Sequence, residues 1–295
     1  CCNVLSFLFQ KRHYYRKICR NNDICYWLTA GTVLGAVRHG GFIPWDDDLD
    51  VVMPRSDYNR FLRIASKEIG HPYVLQTQLN DPANQTAIAR IRNDNSAAIL
   101  HPYIDDRIYC HQGVFVDIYP LEEVPTDTRV LNAKMRASFF VRRLRRLVFS
   151  TRRRPFLGMV KTMIARGLFN LIGAKRFWRW QEDLWSGYSG AKSDYLVGAP
   201  GIRYSEPKML ANRFPYHCCR EMLWVPFEYL MVPVFSGYEE ILTLQYGDWE
   251  KPVRGGAAHG SAIISVDRSY RDVLSQKYGF ELTRFLRCES VDAVL

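Results

Sequence analysis

Tyr26-Trp-Leu-Thr-Ala-Gly31-Thr-Val-Leu-Gly-Ala-Val-Arg38-His-Gly-Gly-Phe-Ile-Pro44-Trp-Asp46-Asp-Asp-Leu-Asp50-Val-Val-Met53 is the stretch that decides the fold. Four carboxylates, Asp46, Asp47, Asp48 and Asp50, fall within five positions. Like charges this close repel, and burying them unpaired is costly. A chain that keeps such a cluster against an apolar run most often uses it to hold a divalent cation. The alternation that follows has a strand's period, with Leu49, Val51 and Met53 on one face and Asp48, Asp50 and Val52 on the other. Asp48 and Asp50 are therefore expected side by side at the strand's start. Asp46 and Asp47 precede it, in a turn favoured by Pro44. The competing reading is a solvated acidic turn. The density of charge beside an apolar strand favours the metal.

Upstream, Tyr26 to Thr29 reads as a strand ending at Ala30-Gly31-Thr32. Val33, Leu34, Ala36 and Val37 then suggest a short helix. A strand, a glycine turn and a helix N-terminus together offer backbone N–H groups to a phosphate. Gly31 and Thr32 are thus expected at a phosphate. Arg38, at the helix end before Gly40-Gly41, is the expected charged clamp.

Further on, Ala87 to Arg92 reads as a strand with Arg90 and Arg92 on one face. They point either at a nucleotide's phosphates and base or at solvent. Gly113 to Pro120 reads as a strand with Val114, Val116 and Ile118 on one side and Phe115, Asp117 and Tyr119 on the other. An Asp in so apolar a run is buried, and needs a cation or hydrogen-bond donors.

Gly31-Thr-Val-Leu-Gly-Ala-Val-Arg38-His followed by Gly41-Phe-Ile-Pro-Trp-Asp-Asp-Asp-Leu-Asp50 resembles the signature of the LicD family of phosphocholine transferases. That family belongs to the nucleotidyltransferase-fold superfamily and is related to fukutin and fukutin-related protein. Similar segments occur at Arg90-Ile-Arg-Asn-Asp-Asn, Gly113-Val-Phe-Val-Asp-Ile-Tyr-Pro120 and Tyr246-Gly-Asp-Trp. The likeness is weak between about 128 and 195. It implies an α/β (α+β) fold with a mixed nucleotidyltransferase sheet and a large helical insertion. Residues 1–127 would form the catalytic core. Residues 128–295 would form a mainly helical substrate-binding region, not a fully independent domain.

The resemblance also implies the chemistry. A CDP-activated donor, CDP-choline in the best-known members, gives phosphocholine to a hydroxyl of a cell-surface glycan or lipid-linked glycan precursor, and CMP leaves. Asp48, Asp50 and Asp117 would hold Mg²⁺, with Asp117 the third carboxylate supplied by a neighbouring strand. Two such ions about 3.5–4 Å apart would neutralise the transferred and leaving groups. Gly31, Thr32, Arg38, Arg90 and Arg92 would bind the donor. Asp46 or Asp47 would take the acceptor's proton. The alternatives are a CDP-alditol transferase, for example of ribitol phosphate, and a non-catalytic nucleotide-binding relative.

A net charge of +10 points to an anionic partner: nucleotide, nucleic acid or lipid surface. Nucleic acid is disfavoured, because no strand interleaves aromatic and basic residues as a stacking platform. Eight cysteines without a CxxC pair indicate neither a disulfide scaffold nor a zinc site, and read as reduced thiols in a cytoplasmic protein. No apolar run reaches the ~18–20 residues that a spanning helix needs.

The rest reads as helices and short strands. Val4 to Cys25 is expected as a packing helix, and Ser56-Asp57 as the cap of a helix running to Ile69. From Thr128 the texture is helical. Arg142, Arg143, Arg145 and Arg146 fall on one side of a wheel, with Phe140, Leu144, Leu147 and Val148 on the other. Arg152 to Arg154 follow. The basic helix over 136–154 either makes a peripheral contact with the inner membrane face or is a core helix with a charged outer side. Phe156 to Ile172 is a second helix, interrupted by Lys161 and Arg166. Phe177, Trp178, Trp180 and Trp185 mark an aromatic-rich third. Phe227 to Val234 suggests an edge hairpin and Tyr238 to Gly247 a glycine-ended helix. His259 sits in a Gly-rich loop, where a lone histidine seldom binds phosphate.

Overall fold

A computed structural model describes residues 13–46, 48–152, 155–186, 190, 192–199, 206–253 and 262–285. In chain order, α1 (His13–Asn21) leads to β1 (Trp27–Leu28), α2 (Ala30–His39), β2 (Asp50–Pro54) and α3 (Arg55–Glu68). Next come β3 (Tyr73–Gln76), β4 (Ala89–Asn93), β5 (Ala97–Ile99), α4 (His101–Asp105) and β6 (Phe115–Pro125). The helices α5 (Thr128–Phe149), α6 (Phe156–Ile172) and α7 (Ala174–Asp183) follow. The rest comprises β7 (Lys192–Gly198), α8 (Glu206–Leu210), β8 (Arg213–Pro215), β9 (Met222–Phe227), β10 (Leu230–Phe235), α9 (Tyr238–Tyr246), β11 (Ile263–Ser265) and α10 (Tyr270–Tyr278).

The main sheet has the order β1-β2-β6-β4-β3, and β6 continues into a pairing with β7, which pairs β8. β2 runs parallel to β6, and the other pairings are antiparallel. The class is α+β with a mixed sheet. Period-two alternation sends Val51, Met53, Val116 and Ile118 to one face, where α3 covers them with Tyr58, Phe61, Leu62 and Ala65. The opposite face carries Asp50 and Asp117 at one end. At the other end Val52 and Leu121 pack with Trp27, Phe214 and Phe235.

The region beyond Thr128 is not all helix. β7 and β8 extend the sheet, the β9–β10 hairpin packs on β1 through Trp27 stacked on Phe235 at 4.6 Å, and β11 pairs β5. α7 is tied to the core by Arg55, which pairs with Glu122 and reaches Glu182 at 2.8 Å.

Several local expectations shift. α1 ends at Asn21, because Ile24 N–H already bonds Cys19 O at 2.9 Å, and residues 4–12 lie outside the described residues. α3 starts at Arg55 with Pro54 at its cap position. Asp57 pairs with Arg60 at 3.0 Å instead of capping. On α5 the wheel is misread. Arg145 is buried, donating to Pro82 O at 2.6 Å and Asn84 O at 2.8 Å, while Phe140 is 60 % exposed. Phe177 and Trp185 are buried, but Trp180 lies at the surface.

Candidate functional site

The acid cluster and the strand beside it are joined by the parallel pairing of β2 with β6. Asp50 stands opposite Asp117 in register, and Asp117 N–H donates to Leu49 O at 2.9 Å. All three aspartates expected to converge, Asp48, Asp50 and Asp117, are buried. Asp47 lies outside the described residues.

α2 brings its N-terminus to the same place. Thr29 N–H donates to Asp50 O at 3.1 Å, and Asp50 N–H donates to Thr32 Oγ1 at 2.9 Å. The turn between them needs Ala30 at φ +52°, a left-handed conformation that costs on the order of 1–3 kcal/mol in a non-glycine residue. Next to it, a Cβ on Gly31 would lie 2.5 Å from Asp46 Oδ2, so only glycine lets that carboxylate sit over the helix start. Free N–H groups and the helix dipole favour an anion there. Asp46 Oδ2 lies beside that helix start, where the sequence suggests a phosphate. At the other end Gly40, at φ +65°, closes α2 by donating to Ala36 O.

Across β6, Arg90 is in register with Asp117. Its Nε donates to Asp117 Oδ1, Nη2 to Oδ2 at 3.2 Å and Nη1 to Thr86 Oγ1 at 3.0 Å. Tyr119 O–H adds a bond to Asp117 Oδ2 at 3.3 Å. Burial alone would lower Arg90's pKa, but the Asp117 carboxylate outweighs it and holds the guanidinium charged. Arg90 and Arg92 stack on the Phe115 ring with Cζ at 4.6 and 4.8 Å. Neither faces solvent, so the surface-charge alternative for this pair falls.

The rest of the predicted set is divided. Arg92 is spent inside the core. It donates to Gln76 Oε1 and, at 2.6 Å, to Gly113 O, and burial followed by Arg90 lowers its pKa to about 10. Arg38 reaches Trp249 O at 2.7 Å and so ties α2 to the Tyr246-Gly-Asp-Trp turn. His259 lies outside the described residues.

The electrostatics of the cluster are unbalanced. Burial raises Asp50's pKa well above the usual carboxylate value, and Asp48, Asp117 and Asp46 raise it further against the opposing Arg90. Asp50 Oδ1 is buried with no hydrogen-bond partner among the described residues. Burial, then Asp50 and Asp117, also keep Tyr119 protonated. An unpartnered, buried carboxylate oxygen amid other carboxylates suits a hard divalent cation. The residues present therefore fit one.

Sequence reasoning missed Thr86 and the network beneath the site. Gln76 Nε2 donates to Asp81 Oδ2 at 2.7 Å, and His111 N–H donates to the same oxygen at 2.8 Å. Nothing local announces these partners. Tyr119 was readable, since it shares Asp117's face two residues on. Among the described residues, the group of three that gathers its ligand-type atoms within 4.8 Å of one another is His217, Cys218 and Glu240, not the aspartates, and no CxxC spacing signals it. Glu240 Oε2 there already lies 2.7 Å from His217 Nε2.

The chain is similar in sequence to known proteins. The "LicD/FKTN/FKRP, nucleotidyltransferase domain" profile matches residues 23–162, which contain Asp48, Asp50, Arg90 and Asp117. The lipopolysaccharide cholinephosphotransferase LicD of Haemophilus influenzae is 28% identical over 256 residues, covering 85% of this chain and 89% of that protein. Ribitol 5-phosphate transferase FKRP of Homo sapiens is 34% identical over 70 residues, 24% of this chain and 14% of its own length, and the Mus musculus protein matches to the same extent. Residues 23–162 are thus similar to the nucleotidyltransferase domain of the LicD/FKTN/FKRP family, and the paired aspartates of β2 and β6 lie within them.

Proposed function

We propose that the protein transfers phosphocholine from CDP-choline to a hydroxyl of a glycan acceptor and releases CMP, with Asp48, Asp50 and Asp117 holding Mg²⁺. The observation that carries this reading is Asp50 in register with Asp117, its Oδ1 buried and unpartnered among the described residues. The cholinephosphotransferase relative, aligned over 85% of the chain, supports the choice of transferred group.

The acceptor oxygen forms a bond to the choline-bearing phosphorus. The bond from that phosphorus to the bridging oxygen breaks, and the electron pair leaves with CMP. The acceptor's proton goes to Asp46 or Asp47. A bound divalent cation would offset negative charge on the phosphoryl and leaving groups. Arg90 holds both oxygens of the Asp117 carboxylate and so orients it. The N–H groups that begin at Gly31 and Thr32 would receive the leaving phosphate, with Asp46 moving off the helix start.

The acceptor would bind beside an arginine-rich wall in which Asp106 pairs with Arg146. A cavity of about 790 Å³ is lined by Arg142, Arg143, Arg146 and Arg152 and reaches Tyr103. Tyr103 bonds Thr86, the residue that Arg90 also holds. That wall suits a phosphorylated acceptor.

CMP release from CDP-choline, measured with and without Mg²⁺, tests the reading. Release that requires Mg²⁺ and is lost in Asp50→Ala is expected. The FKRP similarity supports a second donor, so CDP-ribitol runs in parallel. Release from CDP-ribitol alone would replace the choline assignment, and release from neither would overturn the transferase.

A further inference from the structure

α6 breaks the ordinary rule for a surface helix. Its packed side is a narrow stripe, Thr162, Ala165 and Phe169, set against Val141 and Val148 of α5 and Phe177 of α7. A surface helix should then present polar residues outward. Here Phe156, Leu157, Met163, Ile164 and Leu171 point away from the protein and are 66–81 % exposed. On a wheel they span the arc opposite the packed stripe, and Lys161 and Arg166 border that arc on its two sides. Arg166 is fixed there by bonds to Val148 O and Ser150 O, both at 3.0 Å. So large an exposed apolar strip marks an interaction site.

Charge says what covers it. From Thr128 to Gln181 the chain has fifteen Lys and Arg and no Asp or Glu. With forty basic and thirty acidic residues in all, this segment carries +15 and the remainder −5. Around α6, Arg152 lies before its start and Lys175, Arg176 and Arg179 follow its end, all exposed. Exposed Trp180 stands beside them. A second copy of this face would bring its Lys and Arg against the same basic residues. A nucleic acid would match the charge and leave the apolar strip in water. An anionic bilayer matches both the charge and the strip.

We propose that α6 is an in-plane membrane anchor, its apolar side seated at the headgroup–acyl boundary of an anionic bilayer, with the flanking Lys and Arg on lipid phosphates. Among the described residues no single helix is long and apolar enough to cross a membrane. α6 has 17 residues. It is about 25 Å long against a hydrocarbon core of ~30 Å. α6 and α7 together would have the hydropathy, but they bend by 87° at their junction. The anchor differs from the basic face of α5 suggested by the sequence. There Arg145 is buried, and the apolar component comes from the next helix. The inference is independent of which donor the site uses.

Flotation of the full chain with vesicles tests it without any turnover. Vesicles of phosphatidylcholine containing 30 mol% phosphatidylglycerol should carry the protein, and pure phosphatidylcholine vesicles at least about tenfold less of it. Met163→Asp with Ile164→Asp changes only exposed positions. It should abolish flotation while leaving the melting temperature and CMP release with a water-soluble acceptor unchanged. Lys175→Glu with Arg176→Glu should weaken flotation on the anionic vesicles in the same way. Failure of the wild type to float with anionic vesicles would overturn the proposal, as would undiminished flotation of both folded variants. A concentration-dependent dimer in light scattering, lost in the Met163/Ile164 variant and accompanied by no flotation, would also overturn it and assign the face to a second copy.

Discussion

Replacing Asp50 with Asn should stabilise the metal-free protein and remove its response to Mg²⁺. Asp50 is buried, its Oδ1 has no partner among the described residues, and its nearest charges include Asp48, Asp117 and Asp46. Arg90 is committed to Asp117. A buried polar atom left without a partner costs about 1–3 kcal/mol, more when charged. Asn keeps the shape, drops the charge and can donate its N–H to a neighbouring carboxylate. The variant should therefore gain about 1–3 kcal/mol in EDTA, or roughly 2–10 °C in melting temperature for a chain of this size.

Saturating Mg²⁺ reverses the order. A ligand that binds only the native state at a hundredfold excess over its Kd adds ~2.7 kcal/mol. The wild type should receive that, and the Asp50→Asn variant should not. The pH dependence has the matching sign. Asp50's native pKa is raised. Its contribution to metal-free stability is thus complete below the ordinary carboxylate range and is lost as pH rises through the raised value. The variant should not show that loss. Thermal melts of both proteins in EDTA and in MgCl₂, at several pH values, make the comparison. An Asp50→Asn protein less stable than wild type in EDTA, or one stabilised equally by Mg²⁺, would refute the reasoning.

Three other predictions follow from the packing. Burial holds the His111 imidazole down at about 4 despite Asp94, whereas its ordinary value is 6.5. Its native pKa is depressed, so stability present above 6.5 is lost as pH falls toward 4, by about 2–3 kcal/mol. Urea midpoints between pH 7 and 4.5 should fall in wild type and fall less in His111→Gln. A Cβ on Gly35 would lie 2.5 Å from Gly41 O and 3.2 Å from Ile43 N, both backbone atoms. Gly35→Ala should thus lose stability, overpacking of about 1–3 kcal/mol outweighing a helix gain of about 1. Gly167→Ala on α6, with nothing within 4 Å, should gain stability, and the same sign at both sites in melts would contradict this. Arg145→Leu leaves two carbonyls without their donor and should cost about 2–4 kcal/mol. Arg146→Ala removes a guanidinium whose side chain is 63% exposed and should cost below ~1 kcal/mol in the same denaturation assay.

What the sequence revealed of this molecule was local. Alternation set the faces of Asp48, Asp50 and Asp117, because strand geometry leaves two choices per residue. That Asp50 would pair Asp117 across 67 positions came from the family resemblance, since no periodicity specifies which strands are neighbours. The Gly40 stop was readable from its residue type, whereas the turn before α2 takes its left-handed residue from Ala30 beside the expected Gly31. Arg38 was not, because its acceptor, Trp249 O, lies 211 residues away. A helical wheel gave α5 two sides but could not say that the Pro82–Asn84 loop would claim Arg145. For α6 the sequence showed an apolar helix interrupted by Lys161 and Arg166. Which arc would be packed, and which left outward, depended on helices that the pattern does not place.

The most direct test of the central claim is a titration of Mn²⁺ into the full-length protein, followed by the electron paramagnetic resonance signal of the free ion. The account predicts saturable binding, competition by Mg²⁺, and at least about tenfold weaker binding in Asp117→Asn and in Asp48→Asn, each measured with its fold verified by circular dichroism. A wild-type protein that binds no Mn²⁺, or whose binding survives loss of either carboxylate, would contradict it.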